Sequence, residues 1–243
     1  KEKKSFAPGL YDLTTLQREA NRKYGYSAKQ TLNIMQRLYE HHKVLTYPRT
    51  DSRYIGSDIV PTIKERLKAC NIGPYKAYIP ALLKAPICTS KAFVDDKKVS
   101  DHHAIIPTEE YVQLDHMSNE ERKIYDLVVR RFIGVLYPAY EYEQTTMKAT
   151  VQISAKPSVA TAVFGAKGQV VLKEGWKAVY DNMSLDEEED DKSGDQLRLA
   201  GQQLPTLKKG QEVDISQIMR SQGKTKPPAR FTEATLLNAM ENP

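Results

Sequence analysis

The chain has 243 residues, 36 of them Lys or Arg and 31 Asp or Glu, for a net charge of +5. At 40% hydrophobic and 28% charged residues its composition is that of an ordinary globular protein, which excludes the disordered and fibrous classes. Its apolar runs are too short for a transmembrane helix, and two cysteines, Cys70 and Cys88, build neither a disulfide framework nor a zinc cluster. Cysteine usage of this kind suits a reducing cytoplasm, the expected location. The charge is uneven along the chain. Residues 1–140 carry 23 Lys and Arg against 16 Asp and Glu, whereas residues 141–243 carry 13 against 15. The positive first part permits an anionic partner without requiring one. No signal peptide opens the sequence, and with Lys1 in the first position the chain is expected to be a segment of something longer.

Helical signals dominate the first part. A short helix fits Thr15–Tyr24, and Ser27 caps a second one from Ala28, in which Leu32, Met35, Leu38 and Tyr39 recur at the three-and-four spacing of a buried face. His41, His42 and Lys43 suit the C-terminal end of that helix. A third helix is expected over Asp58–Lys68, with Pro61 tolerated in its first turn. Ser118-Asn119-Glu120-Glu121 is a capping box that opens a long amphipathic helix on Ile124, Leu127, Val128 and Ile133, ending near Tyr137 ahead of Pro138. Beyond Pro138 the period changes. Tyr140, Tyr142 and Thr145–Ile153 read as strand, as do shorter stretches at Gln169–Leu172 and Glu212–Ile215. Asp186–Asp191 is a run of six acids, which repel one another and read as a solvated loop. Ser221–Pro228 is polar and Pro-rich, a linker into a further helix at Thr232.

Two stretches carry groups capable of chemistry. In Thr46-Tyr47-Pro48-Arg49-Thr50-Asp51-Ser52-Arg53, Pro48 biases Tyr47 toward extended backbone, where Tyr47 and Arg49 share a face. A phenol beside a guanidinium suits phosphate chemistry, the hydroxyl attacking while the charged fork holds the non-bridging oxygens. A phenol with an ordinary pKa of about 10 needs a base or local positive potential to do this. The plainer alternative is a ring packed on the preceding helix beside a surface salt bridge. The second stretch is Asp101-His102-His103-Ala104-Ile105-Ile106-Pro107-Thr108. Adjacent histidines project differently and no Cys or Glu stands at ligand spacing, which argues against a metal. Either imidazole could contact a phosphate or a tyrosine hydroxyl, or be a structural histidine satisfied by Asp101.

Taken together these stretches resemble the type IA DNA topoisomerases. The tyrosine segment follows a helix ending Gln36-Arg37-Leu38-Tyr39-Glu40, the His-His segment follows it, Tyr11-Asp12-Leu13-Thr14-Thr15-Leu16-Gln17 precedes both, and Pro228-Ala229-Arg230-Phe231-Thr232-Glu233-Ala234-Thr235-Leu236 closes the chain. Pro48 after the tyrosine and His-His-Ala-Ile-Ile-Pro make it more similar to the topoisomerase III branch than to bacterial topoisomerase I.

The resemblance implies an α+β fold. Residues 1–140 would form a mainly helical domain carrying the tyrosine, residues 141–222 the returning half of a β-rich arch, and residues 223–243 the start of a DNA-strand-binding domain. It departs from the family at Ala155–Phe164, where the arch strands are expected to be interrupted by an irregular insert. Tyr47 matches the nucleophile that forms a 5′-phosphotyrosine without ATP, Arg49 the arginine that positions it, and His102 the active-site histidine. Thr50, Ser52, His103, Arg230 and Thr232 are expected to be DNA-binding. The implied partner is single-stranded DNA. The implied cofactor is Mg²⁺, bound by a Toprim domain outside this chain rather than by these residues, so the segment alone is expected to be inactive. Two other classes compete: a non-catalytic module that binds single-stranded DNA, and a helical protein-interaction domain. Salt-sensitive binding without dependence on the Tyr47 hydroxyl would mark the first, and no DNA affinity at low salt the second.

Overall fold

The structure, a computed structural model, describes residues 1–152, 161–180, 204–205, 207–220, 222–225 and 227–241. The acidic run Asp186–Asp191 and residues 155–160 of the expected insert lie outside the described residues, as do Ile153 of the expected strand and Ser221 and Lys226 of the linker. The chain forms two compact units. One comprises Ser5–Tyr140 with residues 174–180 and 231–241; the other comprises Lys1–Lys4, Glu141–Lys173 and the described residues of 204–230.

The first unit is helical. α1 (Leu13–Tyr24) is capped by Asp12, whose carboxylate accepts from Thr15 N at 2.6 Å, and ends at Gly25 with φ 70°. Only a residue without Cβ enters that left-handed conformation without strain. α2 (Ala28–Glu40) starts as expected, with Ser27 Oγ accepting from Gln30 N. Its buried face, however, is Thr31, Ile34, Met35 and Leu38; Leu32 is half-buried and Tyr39 is 38% exposed. The expected Asp58–Lys68 helix begins later. A 3-10 turn at Val60–Thr62 takes up Pro61, and α3 runs Ile63–Ala69. A short α4 (Ile79–Lys84) follows. α5 (Asn119–Leu136) opens on the capping box, with Glu121 N bonded to Ser118 Oγ and Ser118 N bonded to Glu121 Oε2. Its centre is buried nearly all round, from Ile124 and Tyr125 through Leu127–Gly134, because it forms the axis of the core.

The C-terminal helix α6 (Glu233–Glu241) lies on α1. Ala28 N bonds to Glu233 Oε2 at 2.6 Å and Ala234 N to Asn21 Oδ1 at 3.2 Å. Residues 231–241 therefore belong with the helical unit, whereas the expected division set 223–243 apart. Residues 174–180 also pack there, against α5. They are admitted by Gly175, whose φ is 49° and where a Cβ would meet the Ala139 carbonyl oxygen at 2.3 Å.

The second unit is built on a three-stranded antiparallel sheet in the order β1 (Glu2–Ser5), β2 (Tyr140–Gln152), β3 (Thr161–Lys173). β2 and β3 pair from Gln152↔Thr161 to Glu141↔Lys173, with one register shift at Glu141/Tyr142. Gln169–Leu172 is thus the end of a long strand rather than a short one, and residues 161–164 of the expected insert lie within it. Glu212–Ile215 is not a strand. Val213 and Ile215 are 54% and 53% exposed, and no strand partner among the described residues takes up their backbone groups. β-propensity alone does not make a strand without pairing.

Candidate active site around Tyr47

Tyr47 reaches its place through a reversal at the end of α2. Lys43 adopts φ 56°, and Val44 N bonds back to Leu38 O at 3.0 Å, so the chain returns beside the last turn of the helix. The tyrosine and histidine segments, more than fifty positions apart, are then joined by backbone bonds. Thr46 N donates to Ile106 O, Thr108 N to Val44 O and Ala104 N to Tyr54 O, at 2.8–3.0 Å. Thr46 Oγ1 accepts from Ile106 N and donates to Ala104 O. Tyr11 to Leu13 completes the seam: Tyr11 O accepts from Ile105 N at 2.8 Å, and Leu13 N donates to Thr50 O at 3.0 Å.

Buried charges hold this seam from behind. Arg131, on α5, donates to Gly9 O, to the Tyr11 hydroxyl and to Glu19, and its guanidinium stacks 4.2 Å from the Tyr11 ring centre. Burial alone would raise the Glu19 carboxyl, but Arg131 and Lys23 hold it below its ordinary value. Burial keeps the Tyr11 phenol protonated, well above its ordinary value, so it can donate to Glu19. At the far end Arg66, 6% exposed, donates to Pro107 O at 2.7 Å and pairs with Glu109 at 2.8 Å.

In front of the seam lies a cleft of about 230 Å³ lined by Thr46, Tyr47, Gly56, Asp58, Val99, Asp101, His102 and His103. The rings of Tyr47 and His102 meet there, centroids 4.4 Å apart at 41°. Neither makes a side-chain hydrogen bond with a described residue, so the imidazole meets the tyrosine ring rather than its hydroxyl. Arg49 is exposed and makes no hydrogen bond or ion pair with a described residue; the salt bridge of the plainer reading is not found among them. Asp101 bonds neither histidine. His103 Nδ1 lies 2.7 Å from Ala104 O, which places the proton on that nitrogen.

The expected DNA-binding residues separate. Thr50 and Ser52, at 7% and 5% exposure, have their hydroxyls committed inside: Thr50 Oγ1 donates to His102 O, and Ser52 Oγ to Lys98 O at 2.8 Å. They staple the loop rather than face solvent. Thr232 caps α6, its Oγ1 accepting from Thr235 N, and Arg230 is exposed in the other unit. Sequence reasoning did not anticipate Tyr39 as a neighbour of the site, with its ring 5.6 Å from that of Tyr47. The helical period assigned Tyr39 to the core, and only the reversal at Lys43 shows otherwise. Among the described residues no group of three or more His, Cys, Asp or Glu could hold a metal ion, so these residues do not fit the implied Mg²⁺.

A family model described as DNA topoisomerase matches residues 1–243. DNA topoisomerase 3 of Bacillus anthracis is 57% identical over 243 residues, covering all of this chain and 31% of that protein. The DNA topoisomerase 3 of Bacillus subtilis (strain 168) is 51% identical over 241 residues, again 31% of its length. Full-length topoisomerase I from Thermotoga maritima shares the fold, with a TM-score of 0.59 over 99% of this chain and 36% of that one, at 21% identity. The chain spans 31% of the curated relatives it matches, and that part contains the whole Tyr47–His102 seam. Matched by the family model from its first residue to its last, the chain belongs to the type IA DNA topoisomerases, alongside the relatives named DNA topoisomerase 3.

Proposed function

We propose that this chain supplies the nucleophile of an ATP-independent, single-strand DNA cleavage and rejoining reaction. The observation that carries the reading is the contact of Tyr47 with His102 in an open cleft, on a loop whose arginine, Arg49, has no partner among the described residues. The Tyr47 oxygen attacks a backbone phosphorus of a single DNA strand. A Tyr–O–P bond to the 5′ end forms as the bond to the 3′ oxygen breaks; the phenol gives up its proton and the departing 3′ oxygen gains one. The phosphotyrosine stores the energy of the broken bond, so reversal rejoins the strand. Arg49, exposed on that loop, can turn toward the phosphate and steady its developing negative charge. His102 sets one face of the attacking ring and offers its nitrogens to the phosphate or the strand. His103 and Arg230 are further candidates for backbone contacts; Thr50 and Ser52 act by holding the loop.

The resemblance assigns Mg²⁺ to a Toprim domain outside this chain, and the segment alone is accordingly proposed to be inactive. No helix among the described residues is long and apolar enough to cross a membrane. The proposed setting is the bacterial cytoplasm, at the nucleoid, where the DNA is.

The test is to incubate the full-length protein carrying this chain with single-stranded DNA and quench with denaturant. A covalent adduct is expected from the unaltered protein and none from Tyr47→Phe. Adduct that survives the substitution overturns the assignment. Salt-sensitive binding with no adduct in either protein favours the non-catalytic DNA-binding module instead.

A further inference from the structure

We infer that Tyr39 is a positioning residue for Tyr47, an inference that rests on the reading of Tyr47 as the nucleophile. Tyr39 is the penultimate residue of α2, and its side chain does little that an ordinary surface tyrosine would do. It lies outside the core, its hydroxyl has no hydrogen bond with a described residue, and its one ring contact among them is with Tyr47. That contact is edge-to-face, centroids 5.6 Å apart at 80°. His102 meets the same ring at 4.4 Å and 41°. The nucleophile is therefore held by two rings of different inclination, one from a helix end and one from the histidine segment, while its own hydroxyl has no hydrogen bond with a described residue.

This arrangement has a chemical logic. A hydroxyl held by a strong donor would have to break that bond before its oxygen lone pair could attack. Ring contacts fix the direction of the Cζ–O bond without occupying the oxygen. Edge-to-face geometry suits this role because it has a preferred orientation that simple apolar packing lacks. In-line attack tolerates little misplacement, and a shift of about 1 Å costs on the order of a hundredfold in rate. With Tyr39 removed, Tyr47 keeps its backbone seam and the His102 contact but gains freedom to rotate about χ1 and χ2.

The experiment compares Tyr39→Ala, Tyr39→Phe and Tyr39→Leu in the full-length protein. It measures single-turnover cleavage of a single-stranded oligonucleotide at saturating DNA, oligonucleotide affinity by fluorescence anisotropy, and the thermal midpoint. Tyr39→Ala is expected to slow cleavage by about tenfold or more with affinity and midpoint unchanged. Tyr39→Phe keeps the ring and is expected to cleave at the unaltered rate. Tyr39→Leu restores bulk without an aromatic edge and is expected to remain slow. Unaltered cleavage by Tyr39→Ala overturns the inference, as does a Phe variant as slow as Ala, which would put the hydroxyl to work instead of the ring. A loss confined to affinity also overturns it and makes Tyr39 a surface that stacks a base. Tyr47→Phe, run alongside, keeps the outcomes apart: adduct without Tyr47 sinks the nucleophile, whereas adduct that needs Tyr47 but ignores Tyr39 sinks only the positioning role.

Discussion

The two units of this chain solve the problem of buried polar groups in opposite ways. The helical unit buries several charged side chains and gives each a partner: Arg131, Arg66 and Glu121 are 5%, 6% and 6% exposed, and each donates to or accepts from named partners. The hairpin unit leaves them in water. Lys4 and Lys173, which pair with Glu141, have side chains 62% and 68% exposed. A seam that joins two segments across more than fifty residues needs fixed anchors, and only a water-excluded interior makes such anchors stiff. A long hairpin of β2 and β3, edged by the short β1, needs only its ladder. The candidate chemistry lies on the front of the anchored unit, with Tyr39 and His102 in contact with the Tyr47 ring on a loop that also carries the exposed Arg49.

The largest expected effect tests the buried anchors. Arg131→Met leaves Glu19 with only Lys23 and a neutral phenol, and breaking a buried pair on one side costs about 3–5 kcal/mol. Urea unfolding measures it; a loss below about 1 kcal/mol would mean that the helical unit treats its charges as the hairpin does. Next comes Arg49→Ala, where the expected loss is in chemistry alone. Removing one aimed charged donor raises a cleavage barrier by about 3 kcal/mol, whereas an exposed side chain of this kind contributes less than about 0.5 kcal/mol to stability. A variant that cleaves normally would make Arg49 an ordinary surface cation.

The smallest effect compares two carboxyls directly. Burial would raise Glu121, but hydrogen bonds from Arg37 and Ser118 outweigh it and bring the group to about 2. Glu141, in the hairpin unit, is brought to about 2 by hydrogen bonds from Lys173 and Lys4, both well exposed. Each is depressed in the folded state, so each contributes stability that is fully present above the ordinary value of 4.5 and disappears as pH falls through about 2. Salt screens the exposed lysine pairs of Glu141 more than the bonds to Glu121, whose carboxylate is buried and also accepts from the Ser118 backbone. Carboxyl NMR titrations at low salt and in 1 M salt are therefore expected to move Glu141 back toward 4.5 while Glu121 stays low. Equal movement would erase the distinction between the units.

Local signals in the sequence are strong where the physics is local. Ser27 and Ser118 announce helix starts because a side-chain oxygen satisfies an amide three residues away. The Pro138 boundary and the onset of β2 follow from the change in period. Signals that need a partner are weaker. Gln169–Leu172 looks short because only pairing with β2 shows that β3 begins at Thr161, and Glu212–Ile215 looks like a strand because its residues suit one. At the site, the type and order of Tyr47, Arg49 and His102 are legible through family resemblance, as is the tyrosine segment as a whole. Thr50 and Ser52 look available to DNA because they are hydroxyls in a loop beside a nucleophile. Their burial is set by carbonyls of residues 98 and 102, which no local pattern reveals.

Local patterns thus specify the capped starts of α2 and α5, the switch from helix to strand and, through ordered motifs, the family. The tertiary structure decided which side chains meet. His102 comes to Tyr47 through a seam of backbone bonds, Tyr39 faces that ring because Lys43 turns the chain back along α2, and α6 joins the helical unit through Asn21 and Ala28. Helix caps and periods are encoded within a few residues, where short-range geometry dominates. Ring contacts and seams depend on where distant backbone ends up, and that follows from burying Arg131, Tyr11 and the length of α5 together.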